Sequence, residues 1–572
     1  MRRPIARVAL LFAAAALAAR AGGVELAQPS AEAGAPTPPQ RQLPALELDK
    51  ETLFQFLLGE LAAQRGELSL AARSFVELAR RTRDARIARR AVELANAARN
   101  TALALEAARV WQQAEPDSPQ ALRALALLLL REGLLEEAEP HLARVLEENP
   151  FATANAFLQL GQLLVQNADR AQALALLERL AARHPKLPEA HFAVAQAAAA
   201  ARRDEVALRA LARASELRPD WMAAALLEAQ LLERRAPARA AERLAAFLER
   251  QPAAREARLQ YARLLVADGR RAEAQRELET LLAIHRDDRE AVYAAGVLAM
   301  QARLYDFAES CFQRLLMAGP REAARARFAL GQLAEERRDW GRALEWYGSI
   351  DGGEQAFSAR LRTASVLARQ GKVEEGRALL RAIEAAENER ITLLLAEAQL
   401  LREAARHREA FDLLDEALRK QPEQPELLYD QALTAEKLDR LDVLERNLRK
   451  LIQIRPDHAH AYNALGYTLA DRNLRLEEAR ALIERALELA PDDSFIIDSM
   501  GWVLYRMGNL QGAREWLWRA WRGRRDAEIG AHLGEVLWML GERDEAERIW
   551  REVEEHSPDN ETLRKTVERL RR

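Results

Sequence analysis

The stretch that decides the fold runs from Asp457 to Asp559 and reads as three copies of one helical hairpin. The first copy is AHAYNALGYTLADRNLRLEEARALIERALELAP (459–491), the second SFIIDSMGWVLYRMGNLQGAREWLWRAW (494–521) and the third IGAHLGEVLWMLGERDEAERIWREVEEHSP (529–558). In each, a large apolar residue precedes a small one: Leu465-Gly466, Met500-Gly501 and Leu533-Gly534. A second small residue follows in the next helix, at Ala479, Ala513 and Ala546. Glycine in mid-helix costs about 1 kcal/mol against alanine, so its recurrence needs a compensating gain. The missing side chain lets a second helix approach closely, and the alanine does the same from the other side. Pro491 and Pro558 stop the second helix before another copy begins. Such a hairpin leaves one apolar face open and must stack on a neighbour.

A register of this kind, repeating at about 34 residues, is the signature of tetratricopeptide repeats. Projected backwards, it recovers Leu58-Gly59 with Ala71 and Phe75, Leu160-Gly161 with Ala173 and Leu177, Gly296 with Ala308 and Phe312, and Gly331 with Ala343 and Tyr347. Ala398 with Ala410 and Leu414 continues the series. The expectation is an all-α, right-handed superhelical solenoid of about fifteen hairpins. Some copies match poorly. Leu227-Glu228 stands where a small residue is wanted, Leu444 replaces the second small residue, and SIDGGE (349–354) replaces a proline stop with Gly352-Gly353. That double glycine is the expected hinge. It divides an amino-terminal array (46–353) from a carboxyl-terminal one (354–559), with a capping helix over 560–572.

The composition agrees. Apolar residues make up 49% and aromatics only 6%, with alanine and leucine dominant, which suits long helices. The 85 basic and 88 acidic residues nearly cancel and are interspersed, so no basic footprint for nucleic acid exists. At the start, Arg2, Arg3 and Arg7 precede an apolar run from Val8 to Ala19 and a small-x-small site at Ala19-Arg20-Ala21. Residues 1–21 therefore read as a secretory signal peptide, an uncleaved anchor being the other reading. The Ala-, Gly- and Pro-rich 22–45 segment reads as a disordered leash. The only cysteine, Cys311, is expected as a buried inert thiol.

No catalytic or cofactor constellation is visible, so no enzyme, cofactor, metal or small-molecule substrate is expected. The nine histidines are scattered, and HExxH, CxxC and glycine-rich phosphate loops are missing. His458 and His460 read as exposed imidazoles at a helix start. Aromatics are more informative, because six of the ten tryptophans fall between Trp502 and Trp550. Positions just after the small residue, and a turn beyond, line the inner groove of a repeat array. They hold Tyr467, Trp502, Tyr505, Trp538 and Met539, joined by Phe495. These six are the candidate protein-binding groove, suited to an amphipathic partner helix. The competing reading is that they are core beneath a terminal cap. Trp516, Trp518, Trp521 and Trp550 lie on second helices and serve packing.

With those residues in view, Leu53–Ala95 and above all Asp457–Asn509 resemble a proteobacterial family of envelope adaptors for a carboxyl-terminal processing protease (LbcA-type). The resemblance implies a periplasmic scaffold that binds and activates that protease and brings it cell-wall hydrolases. Adaptors of that type are lipoproteins of the outer membrane. No cysteine follows the apolar run here, so a soluble periplasmic form is expected. The alternative is a scaffold for envelope polysaccharide export or pilus assembly.

Overall fold

The computed structural model describes residues 49–571 apart from 149, 234, 385 and 559, so the expected signal peptide and leash lie outside it. The described residues form 31 α-helices, from α1 (Lys50–Gln64) to α31 (Glu561–Arg571), and contain no strand. Taken in pairs they make the expected series of antiparallel hairpins, with α31 left over. The chain separates into two compact units, one ending at Pro219 and the other beginning at Asp220. The first holds α1 to α10 (Asp204–Leu217) and the second α11 (Met222–Glu233) to α31. Gly352 and Gly353 fall inside the second unit, exposed between α18 (Trp340–Gly348) and α19 (Ala356–Arg369).

Most of the small residues do what their spacing requires, but the expected pairing of Gly161 with Leu177 is corrected: a Cβ on Gly161 would meet Ala193 of the following hairpin, 3.1 Å away. A Cβ on Gly59 would stand 2.6 Å from the Phe75 ring, one on Gly296 2.6 Å from Phe312, and one on Gly501 2.5 Å from Leu517. Gly331 and Gly534 meet Tyr347 and Trp550 in the same way. In each of these the facing residue is a large side chain at the same register of the second helix. Glycine is thus the socket for that knob, and the packing of aromatic against backbone outweighs its helix propensity. Leu444, where a small residue was expected, is simply buried in the core.

A second period appears in the backbone. The residue closing the first helix of a hairpin adopts the left-handed conformation at Gly66, Arg99, Gly133, Arg202, Gly269, Arg303, Arg338, Gly371, Ala405, Asp439, Asn473, Gly508 and Gly541. These lie about 34 residues apart, the repeat length itself, or about twice that on either side of Arg202. Over half are not glycine, so the turn is imposed by the packed helices against local preference.

In the second unit the core runs from hairpin to hairpin. One cluster extends from Ala398 to Val503, and the next from Ile497 to Val567. The stack is closed by α31, which buries Leu563 and Val567 and turns a charged surface outward. Cys311 is buried, and burial pushes its thiol up to about 11, so it stays protonated and inert at neutral pH.

Candidate protein-binding groove

The candidate residues sit on the first helices of the last three hairpins: α25 (Ala459–Asp471), α27 (Ser494–Arg506) and α29 (Ala527–Met539). The side chains on these helices converge. The Tyr467 ring lies 6.2 Å from that of His532, and its hydroxyl reaches the Glu528 carboxylate at 3.4 Å, both two hairpins further on. Such a reach across an intervening hairpin requires a face that curves inward at this point.

Between them sits α27. The Trp502 ring stacks on His532 with centroids 4.1 Å apart, touches Tyr505 at 5.1 Å, and donates its indole N–H to Asp471 at 3.2 Å. Trp502 is only 5% exposed. The expectation that it stands open in the groove is therefore corrected: it is wall, held by an imidazole from the following hairpin. Tyr505 is half-buried and donates to the buried Glu535 at 2.8 Å, while Glu535 also holds Arg569 of α31 at 2.6 Å. Trp538 is half-buried against Trp550, with centroids 5.6 Å apart. Phe495 and Met539 remain exposed, at 39% and 49%, and Arg524 covers one face of Phe495. Of the six, Trp502 is enclosed wall, Tyr467 and Tyr505 are half-buried in the same cluster, Phe495 and Met539 are exposed, and the half-buried Trp538 packs on Trp550 of the second helix. On the second helices, Trp521 and Trp550 are buried as expected, whereas Trp516 and Trp518 are half-buried with Arg519 and Arg522 over their rings.

The polar half of this site escaped sequence reasoning. His532 is fully enclosed and its Nδ1 lies 3.0 Å from a carboxylate oxygen of the equally buried Asp498. Burial disfavours the charged imidazole, but Asp498, with Glu528 and Glu535 beyond it, more than offsets this and holds the His532 pKa above its ordinary value. Burial together with Glu528, Asp471, Asp498 and Glu436 drives the Tyr467 phenol well upward. Tyr505 is pushed up to about 12 by burial and by Glu535. Both phenols are therefore neutral donors at any physiological pH. One signal was available: His532 stands two residues before Gly534 and Asp498 three before Gly501, registers at which most other hairpins carry apolar or small residues, Gln159 and Asn463 being exceptions.

His458 corrects a smaller expectation. It is half-buried, and its Nδ1 accepts the Ala461 N–H at 3.1 Å, capping α25. His460 is the exposed one of the pair. Among the described residues no helix is long and apolar enough to cross a membrane.

Comparison with known proteins agrees with this architecture. Tetratricopeptide repeat models match residues 158–221, 231–304, 293–353 and 442–494. The chain is 35% identical over 526 residues to the TPR repeat-containing protein PA4667 of Pseudomonas aeruginosa, covering 91% of this chain and 88% of that one. A shorter match, 27% identical over 160 residues, joins 27% of this chain to 18% of the human protein O-mannosyl-transferase TMTC1. Among solved structures, yeast Tom70 aligns over 74% of this chain and 96% of its own at 14% identity, with a TM-score of 0.39. By its repeat register, its stacked hairpins and its full-length relative, the chain belongs to the tetratricopeptide-repeat family, whose members are protein-interaction scaffolds.

Proposed function

We propose that this protein is a non-enzymatic periplasmic adaptor that binds and activates a carboxyl-terminal processing protease and presents cell-wall hydrolases to it. The observation that carries the binding role is the inward-curving face of the last three hairpins. It offers exposed Phe495 and Met539 together with Asp471 and Glu528, and with Glu436 from the hairpin before, three carboxylates with no ion pair to a lysine or arginine among the described residues. Aromatic and methionine contacts supply interface energy, and uncompensated charge supplies orientation. A partner segment with an apolar ridge flanked by lysine or arginine fits such a surface. The protease identity rests on the resemblance of Asp457–Asn509 to the adaptor family, and the compartment on the basic and apolar start of the chain.

The test is capture of the purified processing protease by the immobilised protein. Because Trp502 is wall, informative variants are Phe495→Ala with Met539→Ala, and Glu436→Lys with Glu528→Lys. Each pair should weaken capture at least about tenfold, or about 1.4 kcal/mol, with the helical circular dichroism unchanged. Undiminished capture by both pairs would sink the groove. Failure of the wild type to capture the protease, with retention of export or pilus components from envelope extracts, would replace the partner.

A further inference from the structure

The first helix carries a stacking surface on which no other helix of the described residues stacks. Phe54, Leu57 and Leu61 of α1 are 57%, 50% and 53% exposed, and Leu53 beside them is 42% exposed. Their register relative to Gly59 gives them meaning. Five residues before, two before and two after the socket glycine, the hairpin at Gly331 places Ala326, Ala329 and Leu333. The hairpin at Gly501 places Ile496, Ser499 and Val503, and that at Gly534 places Ile529, His532 and Val536. All nine are buried, and Ala326 to Leu333 share one core with Phe312 and Leu315 of the hairpin before them. In α1 the same three positions face outward with larger side chains than most of their counterparts. The opposite side of α1 is already occupied, since Gly59 and Ala62 are buried against α2 (Leu68–Thr82).

We propose that this face is a homodimer interface, covered by α1 of a second copy running antiparallel about a two-fold axis beside Leu57. Three features select a second copy. The carboxyl-terminal end of the stack is closed by α31, so copies cannot stack head to tail, and only a head-to-head contact closes on itself. Leu53, Leu57 and Leu61 form a ridge with one residue per helical turn, symmetric about Leu57, so antiparallel pairing sets Leu53 on the other copy's Leu61 and Leu57 on itself. Glu51 and Arg65 lie on the same flank of that ridge at opposite ends, and the same pairing brings each to its counterpart in the other copy. The exposed apolar surface is on the order of 400 Å² per copy, the size of the largest patch on a soluble monomer, which is often a functional one. Doubled, it stays below about 1,200 Å², the range of weak and transient complexes, so the dimer is expected to be weak.

The experiment uses the full chain in sedimentation velocity between about 5 and about 200 μM, where mass action shifts a weak dimer. The wild type should move from monomer to dimer across that range, and Leu57→Asp with Leu61→Asp should stay monomeric with the same circular dichroism. Thiols give the geometry, because the native Cys311 is buried and silent. Oxidised Leu57→Cys should form a covalent dimer. Leu53→Cys and Leu61→Cys should cross-link when mixed and not singly, since their own copies stand beyond the roughly 7 Å Cα reach of a disulfide. A chain that stays monomeric overturns the proposal in either form. A thiol at position 57 that alkylates freely would mean an open face, and a protected one a face covered by the chain's own apolar 8–19 run. A dimer that survives Leu57→Asp with Leu61→Asp also overturns it.

Discussion

The two ends of the array solve one physical problem in opposite ways. A repeat stack has no interior that closes on itself, so its last hairpins must find cover. At the carboxyl-terminal end the cover is built in. Trp550 fills the Gly534 socket, α31 lays Leu563 and Val567 on the core, and Arg569 seals the buried Glu535. At the amino-terminal end Phe54, Leu57 and Leu61 occupy stacking positions and meet no other hairpin of the described chain. The polar network shows the same contrast: Asp498 and His532 are buried where hairpins stack, while Leu57, the register counterpart of His532, faces outward. Capping is thus a property of the individual end, purchased with specific side chains at one and left to association at the other.

The largest expected break in this contrast is Trp550→Ala. It empties the Gly534 socket and should cost about 3–5 kcal/mol in the local stability of the last hairpin, read by hydrogen exchange across 527–556. Phe54→Ser at the open end, in dilute protein, should change exchange in α1 by less than about 0.5 kcal/mol. Equal losses at both ends would erase the distinction. Next in size is Arg569→Ala, which strips one partner from a buried carboxylate and leaves Tyr505 as the other. We expect about 2 kcal/mol, largely restored when Glu535→Gln is added, because the neutral amide no longer needs the guanidinium. A loss unaffected by that second change would mean that Arg569 acts through packing alone.

The smallest expected effect is pH-dependent and sharpens the carboxyl-terminal half of the comparison. The folded chain holds the His532 proton more tightly than the unfolded chain does. Its contribution to stability is therefore complete below the ordinary histidine pKa of about 6.5 and disappears as pH rises through the raised folded value. The facing groups are Asp498, Glu528 and Glu535, so the effect belongs to this cluster. Exchange protection in α29, corrected for intrinsic rates, should fall over that window in the wild type and stay flat in His532→Gln. Parallel profiles in the two proteins would remove the imidazole from the account. The first hairpin, which has no such group in its stacking register, should show no counterpart.

Reading the chain was most successful where one residue type has one physical use. Gly466, Gly501 and Gly534 announced their sockets because little but close packing justifies glycine in mid-helix. It was least successful where the same side chain serves either role. Trp502 and Tyr505 differ in register by less than one turn, yet one is enclosed and stacked and the other half-buried. That difference arises from His532, contributed by a hairpin 30 residues away. The turns at Arg303, Arg338 and Ala405 were also hidden, since nothing in those residue types signals the left-handed backbone they adopt.

The amino-acid sequence by itself determined the repeat, its length, its helical hairpins and the sockets between them, because a 3.6-residue periodicity with small residues at constant offsets has one efficient way to bury its apolar faces. Only the tertiary structure decided which aromatics are wall and which are free, that Asp498 and His532 meet as a buried pair, and that one end is capped while the other is left uncovered by the described residues. Those outcomes depend on side chains from separate hairpins meeting in space, where burial and charge are set by neighbours instead of by local pattern.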